Sequence, residues 1–314
     1  PELSDVSTQM IVSKCPLRVS LVGGSTDLQQ YLDKYETGSV VSFASSLYTY
    51  IILNPIRYGT THNIVYGDVK EKVDYRTPEL IKNDVARVVF THFKPPPIEI
   101  TFTADIPSSG SGLAASSSYI VALIEAVTKS LGIKMSQCEI CKLAVDLERI
   151  FNPMTGYQDA YGCGLGALKQ LKFNRQGLES VKFLDTGAFR KMSMYLYPTH
   201  QTRSSTAVLK TLNLEEVHKM SSFGNSMAEH IQSDYFISQL LKLAWNIKKN
   251  TSPEIMTPEL KSIEEMLWAK DVKSLKLLGA GGGGYFLVLT EHPKNYDEWR
   301  PIEIDYTGVT SIQV

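Results

Sequence analysis

The sequence lacks the features that mark several large classes of protein. No apolar run approaches the ~20 residues that a membrane-spanning helix requires, and the N-terminal residues do not form the charged and apolar segments of a signal peptide. The formal net charge of −1 provides no general field that would attract nucleic acid. We therefore expect a cytoplasmic location and neither a membrane nor a nucleic-acid partner; whether the protein is a monomer or a homodimer is not fixed by these properties.

Cysteine is also scarce, with four in 314 residues. Cys138 and Cys141 form a single C-x-x-C within a helical pattern, without a second pair or a nearby histidine, so a zinc site is not predicted. Reduced core thiols fit the expected location better. The sequence contains no Gly-Lys dipeptide, and this absence excludes a phosphate loop of the Walker A type.

The remaining composition is that of an ordered globular protein, with 43% hydrophobic and 21% charged residues. Residues 1–9 are left outside the predicted fold, because the chain opens with Pro1 and the first strand pattern starts after Met10. Periodicity and β-branched content predict strands at 11–22, 38–53, 98–102, 167–173, 192–198 and 285–289. Helical patterns cover 79–93, 119–129, 136–151, much of 206–250, and 257–269, whereas the glycine-rich segment 152–166 is predicted to be irregular. Strands and helices mix without strict alternation, which favours an α+β fold.

A glycine- and serine-rich stretch, P-S-S-G-S-G-L-A-A-S-S-S at 107–118, connects a strand pattern directly to an apolar helix. Small residues let an anion approach the backbone, and the free N–H groups and positive dipole end of the helix favour a phosphate there. A flexible connector is the alternative. The match of 110–115 to the dinucleotide fingerprint G-x-G-x-x-A is weak, because no acidic residue closes a second strand about 20 residues later. The candidate phosphate-binding residues are Pro107, Ser109, Gly110, Ser111, Gly112, Leu113, Ala114, Ala115 and Ser116.

Three further segments accompany this loop in a fixed order: R-V-S-L-V-G-G-S-T-D-L at 18–28, G-Y-Q-D-A-Y at 156–161 and L-L-G-A-G-G-G-G at 277–284. Glu148 lies eleven residues before Asp159. With these motifs the chain resembles the GHMP kinase superfamily from residue 11 onward. Within that superfamily it is most similar to the heptose 7-phosphate kinases, in the P-L-R that opens the first segment, in T-H-Q-T-R at 199–203 and in W-N-I-K at 245–248.

The resemblance implies a two-domain GHMP kinase fold. Residues 10–190 would form an ATP-binding and catalytic domain with a mixed sheet and helices, and residues 191–314 a ferredoxin-like α+β domain. It implies an ATP- and Mg²⁺-dependent kinase that phosphorylates a sugar or sugar phosphate. The leading substrate is a heptose 7-phosphate, phosphorylated at the anomeric hydroxyl to give a 1,7-bisphosphate and ADP. A kinase for another sugar, a nucleotide- and sugar-binding sensor without turnover, and a nicotinamide-dependent oxidoreductase remain open alternatives.

The resemblance also implies roles for individual residues. Asp159 would accept the proton of the attacking hydroxyl or orient that hydroxyl, with Arg18 beside it, and Glu148 with Ser116 would hold Mg²⁺. Ala114 and Ala115 stand where the family usually has Gly and the first Ser of its loop, so Ser116, Ser117 or water is left to take the metal-side role. The residues implied to bind the acceptor substrate are Gly24, Ser25, Thr26, Asp27, Arg203, Gly281 and Gly282.

Overall fold

The computed structural model describes residues 7–107 and 109–314, so residues 1–6 of the excluded N-terminal stretch and Ser108 of the glycine loop lie outside the described residues. Its strands are β1 (Ile11–Val22), β2 (Thr37–Pro55), β3 (Thr61–Tyr66), β4 (Val69–Asp74), β5 (Ile98–Ala104), β6 (Leu168–Asn174), β7 (Gly177–Phe183), β8 (Ser193–Pro198), β9 (Ser274–Leu277), β10 (Tyr285–Thr290), β11 (Arg300–Pro301) and β12 (Thr310–Gln313). Its helices are α1 (Gln29–Tyr35), α2 (Asp84–Phe93), α3 (Ala115–Ser130), α4 (Gln137–Phe151), α5 (Gln158–Gly164), α6 (Gly187–Arg190), α7 (Ser205–Lys210), α8 (Leu214–His218), α9 (Phe223–Glu229), α10 (Asp234–Lys248) and α11 (Pro258–Trp268).

The first sheet has the strand order β12-β1-β2-β5-β3-β4, with β6 and β7 added beside β2. The long strand β2 pairs with β6 through its first half and with β5 through its second half, while β1 runs along its other edge. Only the β3–β5 pair is parallel among the described strands. The predicted α+β fold with a mixed sheet is therefore confirmed.

Helices α2 to α5 pack together beside this sheet, and α3 is the central one. Residues on all sides of α3 are buried, from Ile120 to Val127 without interruption except at Glu125, because β1, β2, α4 and α5 surround the helix. A capping box begins α4, with Ser136 accepting from the Glu139 N–H and Glu139 accepting from the Ser136 N–H. Three of the four free thiols are buried, but Cys138 is exposed on α4, so the prediction of core thiols is wrong for that residue.

The second sheet is antiparallel, with the order β11-β8-β10-β9. Apolar side chains on one of its faces pack with the buried Trp245 of α10 and with α11. On α11, Thr257 accepts from the Leu260 N–H and Pro258 occupies the first turn, which confirms the predicted helix start. None of the described helices combines the length and apolarity needed to cross a membrane.

A second apolar cluster joins the two sheets, with Leu17 and Phe43 from the first sheet packed among Leu196 and Leu287 from the second. The boundary between the two domains, placed between residues 190 and 191, remains a prediction. It follows the last residue of α6, whereas β12 at the end of the described chain returns to pair with β1 of the first sheet.

Candidate active site

A cavity of about 720 Å³ lies where the two sheets meet. Its wall contains parts of all the motif segments, although they are separated by more than 250 residues along the chain. The predicted residues in this wall are Arg18, Gly24, Ser25, Asp27, Ser109, Gly110, Ser111, Gly112, Ala114, Ala115, Ser116, Glu148, Asp159, Arg203 and Gly281.

Four predicted site residues are not in the cavity wall. Leu113 is fully buried in the cluster between the sheets, and the exposed Pro107 accepts a hydrogen bond from the Tyr285 hydroxyl through its carbonyl oxygen. The Thr26 hydroxyl donates to Gly23 O at 2.7 Å and accepts from Ser39 N, so it holds the loop in place. Gly282 donates its N–H to Ile255 O.

The glycine loop docks directly against the loop that follows β9. Gly112 has φ +76°, and a Cβ on it would lie 2.3 Å from Leu278 O; a Cβ on Gly279 would lie 2.4 Å from the Gly112 Cα. Only glycine permits this backbone contact in that conformation. Ser111 O also accepts from Tyr285 N. The two glycine-rich loops therefore fix each other's backbone at the cavity.

Helix α3 begins at this loop and points its N-terminus at the cavity wall. Ala114 precedes it in the left-handed conformation and provides no side-chain cap. The first hydrogen bond of the helix runs from Ser118 N to Ala114 O, so the preceding N–H groups of the first turn have no acceptor within the helix. Together with the positive end of the helix dipole, they suit an anionic ligand such as a phosphate.

Asp159 is positioned by Arg18 in this wall. Arg18 Nε and Nη2 both donate to Asp159 Oδ1, at 3.0 and 2.8 Å, and Nη1 donates to Gly112 O at 2.9 Å. A register shift in β1 between Pro16 and Arg18 accompanies this contact, as bulges commonly re-aim a side chain near a site. The Arg18 side chain is buried, whereas that of Asp159 is 29% exposed, so the carboxylate remains open to a ligand.

Asp27 lies nearby and contacts the first residue of α5. Its Oδ2 accepts from Gln158 N at 2.9 Å and its Oδ1 from Gln158 Nε2 at 3.1 Å. Burial, together with the nearby charge of Asp159, raises the pKa of Asp27 to about 6. Two buried polar atoms beside it, Ser20 Oγ and Gln158 Oε1, have no partner among the described residues, which leaves hydrogen-bonding capacity for a hydroxylated ligand.

Glu148 of α4 is 3% exposed and accepts a hydrogen bond from the Ser117 hydroxyl. Burial raises its pKa to about 7, although the hydroxyls of Ser117, Ser116 and Thr155 oppose the shift. A divalent cation would favour the ionised form, and carboxylate and hydroxyl oxygens are donors that suit Mg²⁺. Ser116 is exposed at the same helix turn, while Ser117 is buried against Glu148. The described residues contain no group of three His, Cys, Asp or Glu that could hold a metal by themselves, so any Mg²⁺ here would also need oxygens of a bound phosphate or water.

Three cationic side chains complete the wall. Arg203 pairs with Glu254. Lys276 donates from Nζ to Ser20 O and Leu21 O, and Lys248 donates to Gly279 O. Neither lysine was predicted from the sequence to be a site residue. The signal available for Lys276 was its position inside the apolar run that leads to the second glycine loop.

Comparisons with known proteins agree with this fold. Residues 79–167 match the family model of the GHMP kinases N terminal domain. The chain is 27% identical to the D-glycero-alpha-D-manno-heptose 7-phosphate kinase of Campylobacter jejuni subsp. jejuni serotype O:2, over 91% of each chain. It is also 27% identical to the L-fucokinase/L-fucose-1-P guanylyltransferase of Bacteroides fragilis, over 94% of this chain and 36% of that protein.

Among solved structures, a D-glycero-D-manno-heptose 1-phosphate kinase from Bacteroides thetaiotaomicron matches with a TM-score of 0.76 and 21% identity, over 97% of this chain and 99% of that one. The family match and the similar kinases indicate a phosphotransferase. Residues 79–167 match a GHMP kinase N-terminal domain, and the chain is similar to sugar kinases of this type in sequence and in fold.

Proposed function

We propose that the protein transfers the γ-phosphoryl group of ATP to a sugar or sugar phosphate, with the anomeric hydroxyl of a heptose 7-phosphate as acceptor. The products are a heptose 1,7-bisphosphate and ADP, formed in the cytoplasm. The similarity to a heptose 7-phosphate kinase supports the acceptor. The observation that carries the proposal is the Asp159 carboxylate, held by Arg18 in the cavity that the N-terminus of α3 also faces.

The reaction is a displacement at phosphorus. The acceptor oxygen forms a bond to the γ-phosphorus, the bond from that phosphorus to the β–γ bridging oxygen breaks, and ADP leaves with the bonding electrons. Asp159 takes the proton of the acceptor hydroxyl, and two hydrogen bonds from Arg18 hold its carboxylate in one orientation. The N–H groups at the start of α3 and in the glycine loop hold the phosphates.

Glu148, with the Ser116 hydroxyl, would hold Mg²⁺, which supplies charge neutralisation on the phosphate oxygens when bound. Asp27 and the free acceptor atom of Gln158 would bind sugar hydroxyls. The carboxylate of Asp27 and the amide of Gln158 are already fixed to each other, so little side-chain freedom is lost when the sugar binds.

A coupled assay of ADP release with a panel of sugars and sugar phosphates tests the activity, and Asp159→Asn tests the mechanism. Loss of the base should reduce kcat by about 10²- to 10⁴-fold and leave affinity for an ATP analogue within about twofold of wild type, because the asparagine cannot take the proton. Asp146→Asn, at an exposed position of α4 outside the cavity, is the matched control. Full turnover by the Asp159→Asn enzyme would remove the proposed role of Asp159. ATP binding without ADP formation on any sugar would instead identify a binding protein.

A further inference from the structure

The cavity wall contains acidic and basic side chains. Its carboxylates, Asp27, Glu148 and Asp159, belong to the part of the chain that forms the first sheet and its helices, whereas Lys248 and Lys276 come from α10 and β9. The ammonium group of Lys276 reaches the carbonyl groups of β1. The two arginines of the wall are paired, Arg18 with Asp159 and Arg203 with Glu254. Within residues 7–107 and 109–314, neither lysine forms an ion pair with a carboxylate.

Both lysines have hydrogen-bonding capacity left. Lys276 Nζ donates to Ser20 O at 2.9 Å and to Leu21 O at 3.1 Å, and Lys248 Nζ donates to Gly279 O. An ammonium group has three donors, so at least one remains on each lysine. Burial, with the nearby charge of Arg18 acting in the same direction, lowers the pKa of Lys248 to about 7 and that of Lys276 well below its ordinary value. An anion bound between the two lysines would stabilise their charged forms and offset the free-energy cost of burying them.

A separate observation places the free hydrogen-bonding capacity of Lys276 beside the segment that contains Gly24 and Asp27. Ser20 is 5% exposed, lines the cavity, and its Oγ has no partner among the described residues. Lys276 binds the carbonyl oxygen of the same residue. Ser20 Oγ lies 3.6 Å from the point where a Cβ on Gly24 would stand, and Gln158 Nε2 lies at the same distance. This unpartnered hydroxyl therefore belongs to the wall that contains Gly24 and Asp27.

We propose that Lys248 and Lys276, with the Ser20 hydroxyl, bind a phosphate group that the acceptor already carries. This inference rests on the proposed phosphoryl transfer to a sugar phosphate and assigns the residues that select such an acceptor over the free sugar. Asp27 and Asp159 would contact hydroxyl groups of the acceptor, and the two lysines with Ser20 would contact its phosphate. A sugar phosphate has this same distribution of charge, whereas a free sugar leaves both ammonium groups without a counter-charge.

The test compares binding of D-glycero-D-manno-heptose 7-phosphate and unphosphorylated D-glycero-D-manno-heptose by calorimetric titration, in the presence of Mg²⁺ and a non-hydrolysable ATP analogue. Lys248→Met should weaken binding of the phosphorylated sugar by about 10- to 100-fold, the effect of one charge-assisted hydrogen bond. Affinity for the free sugar and for the ATP analogue should stay within about twofold of wild type. Lys248→Arg should retain most of the preference for the phosphorylated sugar.

Lys242→Met is the matched control, since Lys242 lies on the same helix, is exposed, and contacts the Trp268 ring outside the cavity. Lys276→Met tests the second position and should also weaken binding of the phosphorylated sugar selectively. An equal loss for both sugars, weaker binding of the ATP analogue, or equal binding of both sugars by the wild type would overturn the inference. Titration does not require turnover, so a protein that selects the phosphorylated sugar through Lys248 but releases no ADP would refute the proposed function and leave the phosphate site standing.

Discussion

Asp27 and Glu148 are buried carboxylates in the cavity wall, and burial raises the pKa of each. Each would be more stable neutral in the protein alone, so each is placed at a cost to folding. A ligand with hydroxyl donors at Asp27, or a cation at Glu148, would offset this cost. Such residues are therefore better explained by binding than by stability.

The cost at Asp27 can be measured through its pH dependence. Its pKa is raised from 3.8 to about 6 in the folded protein, so between about pH 4 and 6 the folded state retains a proton that the unfolded state releases. Wild-type stability should therefore fall as the pH rises through this window. An asparagine at this position would not titrate. The free energy of unfolding of Asp27→Asn, relative to that of wild type, should therefore rise by about 2 kcal/mol between pH 4.5 and pH 7.5.

Urea unfolding of both proteins at the two pH values measures this shift. Asp146→Asn serves as the control, because Asp146 is exposed, and its difference from wild type should not change with pH. If the difference in unfolding free energy between Asp27→Asn and wild type is the same at both pH values, the pKa of Asp27 is not raised by folding.

Some of the residues in the cavity wall were predicted from the sequence to be site residues, and others were not. Arg18, Asp27, Glu148 and Asp159 were selected from motif order, and the structure brings all four to one cavity, although their roles remain predictions. Lys276 was not selected as a site residue. A single lysine in an apolar run does not reveal whether its ammonium reaches solvent or a second domain, and here it reaches the carbonyl groups of β1.

Among the elements, α5 shows why glycine content misled the sequence interpretation. The segment 152–166 was predicted to be irregular, but Gln158–Gly164 is helical and presents Asp159 in its first turn. Its glycines serve close packing. A Cβ on Gly162 would lie 3.1 Å from Arg18 Cγ, and one on Gly164 would lie 2.3 Å from Cys141 Sγ. The helix propensity of glycine is low, yet tertiary contact requires it here, and that contact is not visible in a local pattern.

The contact between the two glycine loops leads to a prediction for Gly112→Ala. An alanine there would keep φ near +76° and place its Cβ 2.3 Å from Leu278 O. We expect a loss of about 3 kcal/mol in the free energy of unfolding, from the left-handed conformation and from the forced separation of the loops. Affinity for an ATP analogue should fall as well, because the loop backbone would move.

Gly67→Ala is a control for the conformational part alone. Gly67 has φ +54°, and nothing lies within 4 Å of the Cβ that an alanine would add. It should cost about 1 kcal/mol and leave nucleotide binding unchanged. Equal destabilisation by the two substitutions, with equal affinity for the analogue, would show that the loops do not depend on each other.

On the scale of the whole molecule, the end of the described chain connects the two sheets. Ile302 N donates to Met194 O of the second sheet, and Asp305 N donates to Ala44 O of the first. Beyond them β12 pairs with β1, and Val309 N donates to Gly164 O at the end of α5. Sequence periodicity did not predict β12, because four residues at an edge carry too little pattern.

This connection should make the protein unfold as one unit, and Asp305 is the residue through which to test it. Its Oδ2 accepts from the Tyr48 hydroxyl at 2.6 Å, and its Oδ1 accepts from Thr307 N and Gly308 N at 2.9 and 2.7 Å. Asp305→Ala removes the two oxygens that accept these three hydrogen bonds, at a residue that is 9% exposed, so we expect the free energy of unfolding to fall by about 3 kcal/mol. Differential scanning calorimetry should show one transition for the wild type, with equal calorimetric and van't Hoff enthalpies, and a lower and broader one for the variant. Asp297→Ala, at an exposed position of the preceding segment, should leave the trace unchanged. Two separate transitions in the wild type would mean that the sheets unfold independently and that the returning strand does not couple them.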